Sequence, residues 1–141
     1  MSKVAVVYWS GTGNTEAMAH AVVEGIKEAG SEAELIQAAD FDATRVMDFD
    51  AFAFGCSDQG DEELEETEFE PMFADVELML DGERVLLFGS YGEWNAGEWM
   101  VDWKERTEKA GATVVETCIA VEAPSEEELA ECRRVGALIA G

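Results

Sequence analysis

Short apolar runs alternate along this chain with longer stretches in which apolar residues recur every third or fourth position. The first run is Val4-Ala5-Val6-Val7-Tyr8. An unbroken run of this kind reads as a strand buried on both faces, as in a parallel sheet. Beyond Asn14, Met18, Val22 and Ile26 recur at i, i+4, i+8, which predicts a helix with one face on a sheet, stopped at Gly30. Glu34-Leu35-Ile36 predicts a second, short strand, and Asp40 to Asp48, around Val46, a weak helix. Phe49 to Cys56, with Ala51-Phe52-Ala53-Phe54 inside it, predicts a third strand. Pro71 is placed to open the next helix at its first position, and that helix contains Met72-Phe73, Val76 and Met79-Leu80. Arg84 to Ser90 predicts a fourth strand, and a helix from about Glu98 carries Trp99 and Trp103 at i, i+4. Thr113 to Val121 predicts a fifth strand. Ser125 and Glu128 then form a capping box for a last helix whose inner face holds Leu129, Cys132 and Ile139.

The order is a strand followed by a helix, repeated five times with short connections. Apolar strands and one-sided helices in that order demand a parallel sheet covered on both faces. At 141 residues, 1–141 is expected to be a single α/β domain with a sizeable core. Ligands of such sheets sit beyond the carboxyl ends of the strands. Three unusual loops lie there, after strands one, three and four: Ser10 to Thr15, Ser57 to Glu62, and Ser90 to Gly97.

The first loop, Ser10-Gly11-Thr12-Gly13-Asn14-Thr15, is a device for holding a phosphate. Its glycines allow a tight turn that points successive N–H groups into one concavity. The helix that follows adds unpaired donors and a positive dipole end. Ser10, Thr12 and Thr15 offer hydroxyls, and Asn14 an amide. The Gly-Lys-Ser/Thr of triphosphate loops is missing, and Glu16 stands where a dinucleotide fingerprint needs its third glycine. An uncharged cradle suits one terminal phosphate. The second and third loops offer a place for a flat ring. Tyr91 and Trp94 are candidate platforms beside glycines, and Gly60 lies in a turn-like Asp58-Gln59-Gly60-Asp61.

Charge sharpens this reading. The formal net charge is −23, and eight of the thirteen residues from Asp58 to Glu70 are carboxylates with no base among them. Nucleic acid and anionic membrane surfaces are repelled by such a chain, and basic protein partners are attracted. No apolar run reaches membrane length and no leader pattern is seen, so a cytoplasmic protein is expected; a monomer is expected as well. Cys56, Cys118 and Cys132 include no C-x-x-C pair and are expected as buried thiols. The lone histidine, His20, falls off the apolar stripe of its helix, so no metal site is expected.

Tyr8-Trp9-Ser10-Gly11-Thr12-Gly13-Asn14-Thr15 resembles the phosphate loop of the short-chain flavodoxins, which bind FMN. The resemblance extends through Gly55-Cys56-Ser57, Gly60-Asp61-Glu62, Leu64-Glu65-Glu66, Glu68-Phe69-Glu70-Pro71, Phe88-Gly89-Ser90-Tyr91-Gly92 and Glu98-Trp99-Met100. It implies a doubly wound five-stranded parallel sheet in the order 2-1-3-4-5. It also implies FMN contacts from Ser10, Gly11, Thr12, Gly13, Asn14 and Thr15 to the phosphate. Contacts to the ring fall to Ser57, Asp58, Gln59, Gly60, Asp61, Glu62, Ser90, Tyr91, Gly92 and Trp94. In detail, Glu62 accepts from the ring N3–H, Trp94 stacks on the outer face, and the Gly60-Asp61 peptide flips so that a carbonyl meets the N5–H of the one-electron-reduced ring. Two residues depart from the family pattern: Gln59 replaces an apolar residue, and Glu93 is an insertion before the tryptophan.

The implied function is a low-potential one-electron carrier that stands in for ferredoxin between larger redox enzymes bearing basic docking patches. Two alternatives remain at this point. An FMN-dependent reductase needs a second nucleotide site, and none is visible in the sequence. A receiver-like signalling domain needs an aspartate at the end of strand three, where this chain has Gly55-Cys56-Ser57.

Overall fold

The computed structural model describes residues 2–141. Five strands form one sheet: β1 (Lys3–Trp9), β2 (Glu32–Gln37), β3 (Ala51–Cys56), β4 (Arg84–Tyr91) and β5 (Thr113–Val121). All pairs are parallel and the order is β2-β1-β3-β4-β5, as expected. Four α-helices cover it: α1 (Asn14–Glu28), α2 (Phe69–Val76), α3 (Glu98–Lys109) and α4 (Glu126–Ala140).

Side chains alternate between the two faces, yet both faces are dry. Ala5, Val7, Phe52, Phe54, Val85 and Leu87 point to a core completed by α2 and α3 with Phe69, Phe73, Trp99 and Trp103. Val4, Val6, Ala51, Ala53, Leu86 and Phe88 point to a core completed by α1 and α4 with Met18, Val22, Ile26, Cys132, Val135 and Ile139. Burial on both faces is why the strands read as continuous apolar runs. Cys118 and Cys132 face each other in the second core, Sγ to Sγ 3.2 Å, both as buried thiols.

Two expectations need correction. The weak helix expected from Asp40 to Asp48 is instead a pair of 3-10 turns, Ala38–Asp40 and Ala43–Asp48. Asp42 accepts from the Thr44 N–H at 2.9 Å and starts the second turn there. Phe41, Val46 and Phe49 drop into the core, and Arg45 lies 5.8 Å from the centroids of both rings while pairing with Glu34 at 2.7 Å.

Pro71 is the third residue of α2, not the first. The buried Glu65 carboxylate explains the earlier start. It accepts from the N–H groups of Thr67 (2.9 Å), Glu68 (2.7 Å) and Phe69 (2.9 Å), and from the Thr67 hydroxyl. These are the donors that a helix N-terminus leaves unpaired, and Pro71 adds no further donor within the first turn. At its other end α2 tightens into a 3-10 turn, Glu77–Met79, which leaves Met79 41% exposed while Leu80 is buried. Arg106 of α3 then ties the layer together, with Glu70 at 2.7 Å, Glu77 at 2.9 Å and the Phe73 ring centroid at 5.0 Å.

Burial alone pushes the Glu65 carboxyl up, but the hydrogen bonds from Thr67, Phe69 and Glu68 outweigh it and hold the group below its ordinary value. A depressed folded value contributes stability above the unfolded value of 4.5, and that stability is lost as pH falls through the folded one. Glu65→Gln should therefore cost about 2–4 kcal/mol at pH 7, because one accepting oxygen becomes a donor facing donors. Urea unfolding at pH 7 and at pH 3 checks this: the gap between the variant and the parent should narrow at the lower pH.

Candidate functional site: three loops at one sheet edge

β1, β3 and β4 are neighbours, so their following loops emerge side by side. Specific bonds join them. The Thr15 and Ser90 hydroxyls are 3.2 Å apart, and the Ser90 N–H donates to Thr15 Oγ1 at 3.3 Å. The Asp58 N–H donates to the Ser90 carbonyl at 3.0 Å. The Asn95 amide donates to Asp58 Oδ2, and the Glu98 N–H donates to Glu62 Oε2 at 2.8 Å. The three loops thus form one continuous rim.

In the first loop, the Ser10 hydroxyl oxygen accepts the Gly13 N–H at 3.0 Å, which closes the turn and leaves the Ser10 O–H to donate. Gly13 sits at φ 94°, a left-handed conformation that favours glycine, and it offers α1 no side-chain cap. A Cβ on Gly11 would lie 3.0 Å from the Trp9 ring beneath it. Thr12 is exposed on the loop, whereas Thr15 is fully buried and its hydroxyl is committed to Ser90. Carboxylates or a serine cap the starts of the other three helices: Glu65 for α2, Glu62 for α3 and Ser125 for α4. At α1 the one acidic residue of the first turn, Glu16, accepts from the Tyr8 hydroxyl at 2.8 Å. A chain of 32 carboxylates thus leaves this helix N-terminus without a carboxylate cap, which suits a phosphate.

The second loop is held from within by Asp58. Its Oδ1 accepts from the Gly60 N–H at 3.0 Å and the Glu62 N–H at 2.8 Å. Gln59 turns back, its amide donating to the Ser57 carbonyl at 2.9 Å. Gly60 lies at φ 100° with open space around it. Asp61 is exposed. Glu62 has φ 61°, a strained value for a side chain-bearing residue that turns its carboxylate inward toward α3. Burial first, and then the neighbouring Asp58 carboxylate, push the Glu62 carboxyl above its ordinary value, although the Glu98 N–H works the other way. Among the described residues only Glu62 Oε1 and Trp103 Nε1 are buried side-chain polar atoms without a partner. A buried, unpaired carboxylate oxygen demands a donor. A flavin ring N3–H is such a donor, so the residues present fit FMN.

In the third loop, Tyr91 packs against Trp99 with ring centroids 5.4 Å apart, and Ser90 is buried. Gly92 accepts the Asn95 N–H at 3.0 Å. Trp94 is 92% exposed at the loop tip, free of any core. Residues 6–136 match the family described as Flavodoxin.

The chain belongs to the flavodoxin family.

Two curated relatives agree with it over nearly their whole length. It is 47% identical to the flavodoxin of Megasphaera elsdenii over 133 residues, covering 94% of this chain and 95% of that one. It is 43% identical to the flavodoxin of Clostridium beijerinckii over 135 residues, covering 96% and 97%. The solution structure of the two-electron reduced Megasphaera elsdenii flavodoxin superposes with a TM-score of 0.89 at 45% identity, covering 97% of this chain and 98% of that chain. As a flavodoxin, the chain is an FMN-binding electron-transfer protein and not an enzyme. The reductase and receiver readings fall away with that membership. No described helix is long and apolar enough to cross a membrane.

Sequence reasoning missed two residues of this flavodoxin's rim. Asn95 joins two loops, and Glu65, counted with the acidic run, is a buried helix cap. An Asn two positions before a glycine is a turn signal, but the partner of Asn95 lies 37 positions away.

Proposed function

We propose that Ser10 to Thr15 hold the FMN phosphate, Thr15 through its backbone N–H because its hydroxyl is taken by Ser90, while the ring lies between the second and third loops. On this reading Trp94 covers the outer face and Glu62 Oε1 accepts from the ring N3–H. The Gly60-Asp61 peptide turns its carbonyl to the ring when one electron has been added. FMN supplies the redox chemistry; the chain binds it, orients it and sets its electrostatic surroundings. We further propose a low-potential carrier that takes the place of ferredoxin, working as a cytoplasmic monomer and docking on basic patches of larger redox enzymes.

The observation that carries this reading is the unpartnered, buried Glu62 Oε1 beside a rim of tied loops. Support for the phosphate position comes from the exposed Thr12 hydroxyl and a helix N-terminus kept free of carboxylate caps. Removing one donor to a bound phosphate should cost about 1–3 kcal/mol. Thr12→Ala should thus weaken FMN binding to the FMN-free protein on the order of tenfold. Riboflavin, which lacks the phosphate, should bind the variant and the parent alike. Fluorescence titration reads both, and equal losses for the two ligands would remove the phosphate from the first loop.

A further inference from the structure

The Asp58 carboxylate makes more structural bonds than a surface aspartate needs. Oδ1 holds the N–H groups of Gly60 and Glu62, and Oδ2 holds the Asn95 amide. The Asp58 N–H is itself fixed on the Ser90 carbonyl at the end of β4. The two amides held by Oδ1 belong to the peptides on either side of Gly60-Asp61. A single peptide plane rotates when the ψ before it and the φ after it change together, and its flanking planes then stay in place. Gly60, at φ 100° and with nothing near its Cβ position, supplies the freedom for that rotation. The Gln59 N–H closes the turn on the Glu63 carbonyl at 3.2 Å, outside the rotating plane.

We propose that Asp58 is a positioning residue: it pins both ends of the Gly60-Asp61 peptide and, through Asn95, locks that turn to the Trp94 loop. The pins leave the peptide one motion, rotation in place, and hold both walls of the ring site at a fixed separation. The inference rests on the ring position proposed above, but its first test does not use FMN.

In the FMN-free protein, amide hydrogen exchange reads the pins directly. Asp58→Ala should raise the exchange rates of the Gly60 and Glu62 amides at least tenfold. Asp58→Asn keeps Oδ1 as the acceptor for both amides, and the Asn95 amide can turn over to accept from the new NH2, so the rates should stay within threefold of the parent. Asn95→Ala frees the carboxylate from its anchor and should raise both rates threefold or more. Unchanged rates in Asp58→Ala overturn the pins, and unchanged rates in Asn95→Ala overturn the tie between loops. If Asp58→Ala does not fold, the Asp58→Asn and Asn95→Ala measurements carry the test. In the FMN-loaded protein, stepwise reduction with dithionite separates position from charge. The yield of one-electron-reduced FMN should fall severalfold in Asp58→Ala and be largely retained in Asp58→Asn. Equal changes in both variants would assign Asp58 to charge and overturn the positioning role. Failure of the parent to take up FMN would remove the ring reading while leaving the exchange result intact.

Discussion

Gly25→Ala should destabilise this protein by about 3 kcal/mol or more, although alanine is the better helix former by about 1 kcal/mol. Gly25 lies in α1 where it crosses α4, and a Cβ there would sit 2.0 Å from the backbone carbonyl oxygen of Arg133. The same crossing contains Gly136 of α4, whose Cβ would lie 2.4 Å from the Val22 carbonyl oxygen. Each helix thus uses a glycine to seat the backbone of the other. Backbone cannot swing aside as a flexible side chain does, so the helices must part and unpack Met18, Val22, Val135 and Ile139 around them. Thermal unfolding should shift down by on the order of 10 °C for either alanine variant. A gain in stability, as propensity alone dictates, would show that the helices have room to separate.

That crossing also marks what the sequence conceals. The stripe of Met18, Val22 and Ile26 is visible as a period, and so are the strands, because burial on both faces turns them into unbroken apolar runs. The first loop stands out because its candidate phosphate donors, Ser10 to Thr15, are contiguous. Gly25 and Gly136 look like weak points in helices until their partners, over a hundred positions apart in each case, are brought together. Pro71 lies deeper in α2 than its residue type predicts, for a related reason. The residue that starts α2 is Glu65, which reads as one more solvated charge in an acidic run until its four donors are seen around it. In the proposed ring site, Trp94 and Glu62 stand out by residue type. The Asp58–Asn95 bond does not, since it is made between two loops that local pattern treats separately.

Neutralising Asp61, Glu63 and Glu66 together should raise the potential of the second one-electron reduction and slow electron transfer to basic partners. Glu65 is excluded from this set: it is buried and caps α2, so its loss would be read as unfolding. The chosen three are exposed on the second loop and the segment after it, beside the proposed ring. Fully reduced FMN carries a negative ring charge at neutral pH, and nearby carboxylates oppose its formation. At ~10 Å and an effective dielectric of ~20, one charge contributes roughly 1–2 kcal/mol, or about 40–80 mV for a one-electron couple. Water and salt screen exposed groups, so the three substitutions together should shift the potential by on the order of 50 mV. The first reduction adds no net charge when a proton accompanies the electron, and its potential should move less. The same carboxylates belong to a molecule of net charge −23, whose field draws a basic partner toward this edge. With Asp61→Asn, Glu63→Gln and Glu66→Gln combined, transfer to a basic one-electron acceptor should slow severalfold at ~10 mM salt. The difference should fade by ~0.5 M, where the screening length falls to a few ångströms. A moved potential with an unmoved low-salt rate would make this stretch a tuner alone. A slowed rate with an unmoved potential would make it a docking surface alone, and no change in either would place the ring elsewhere.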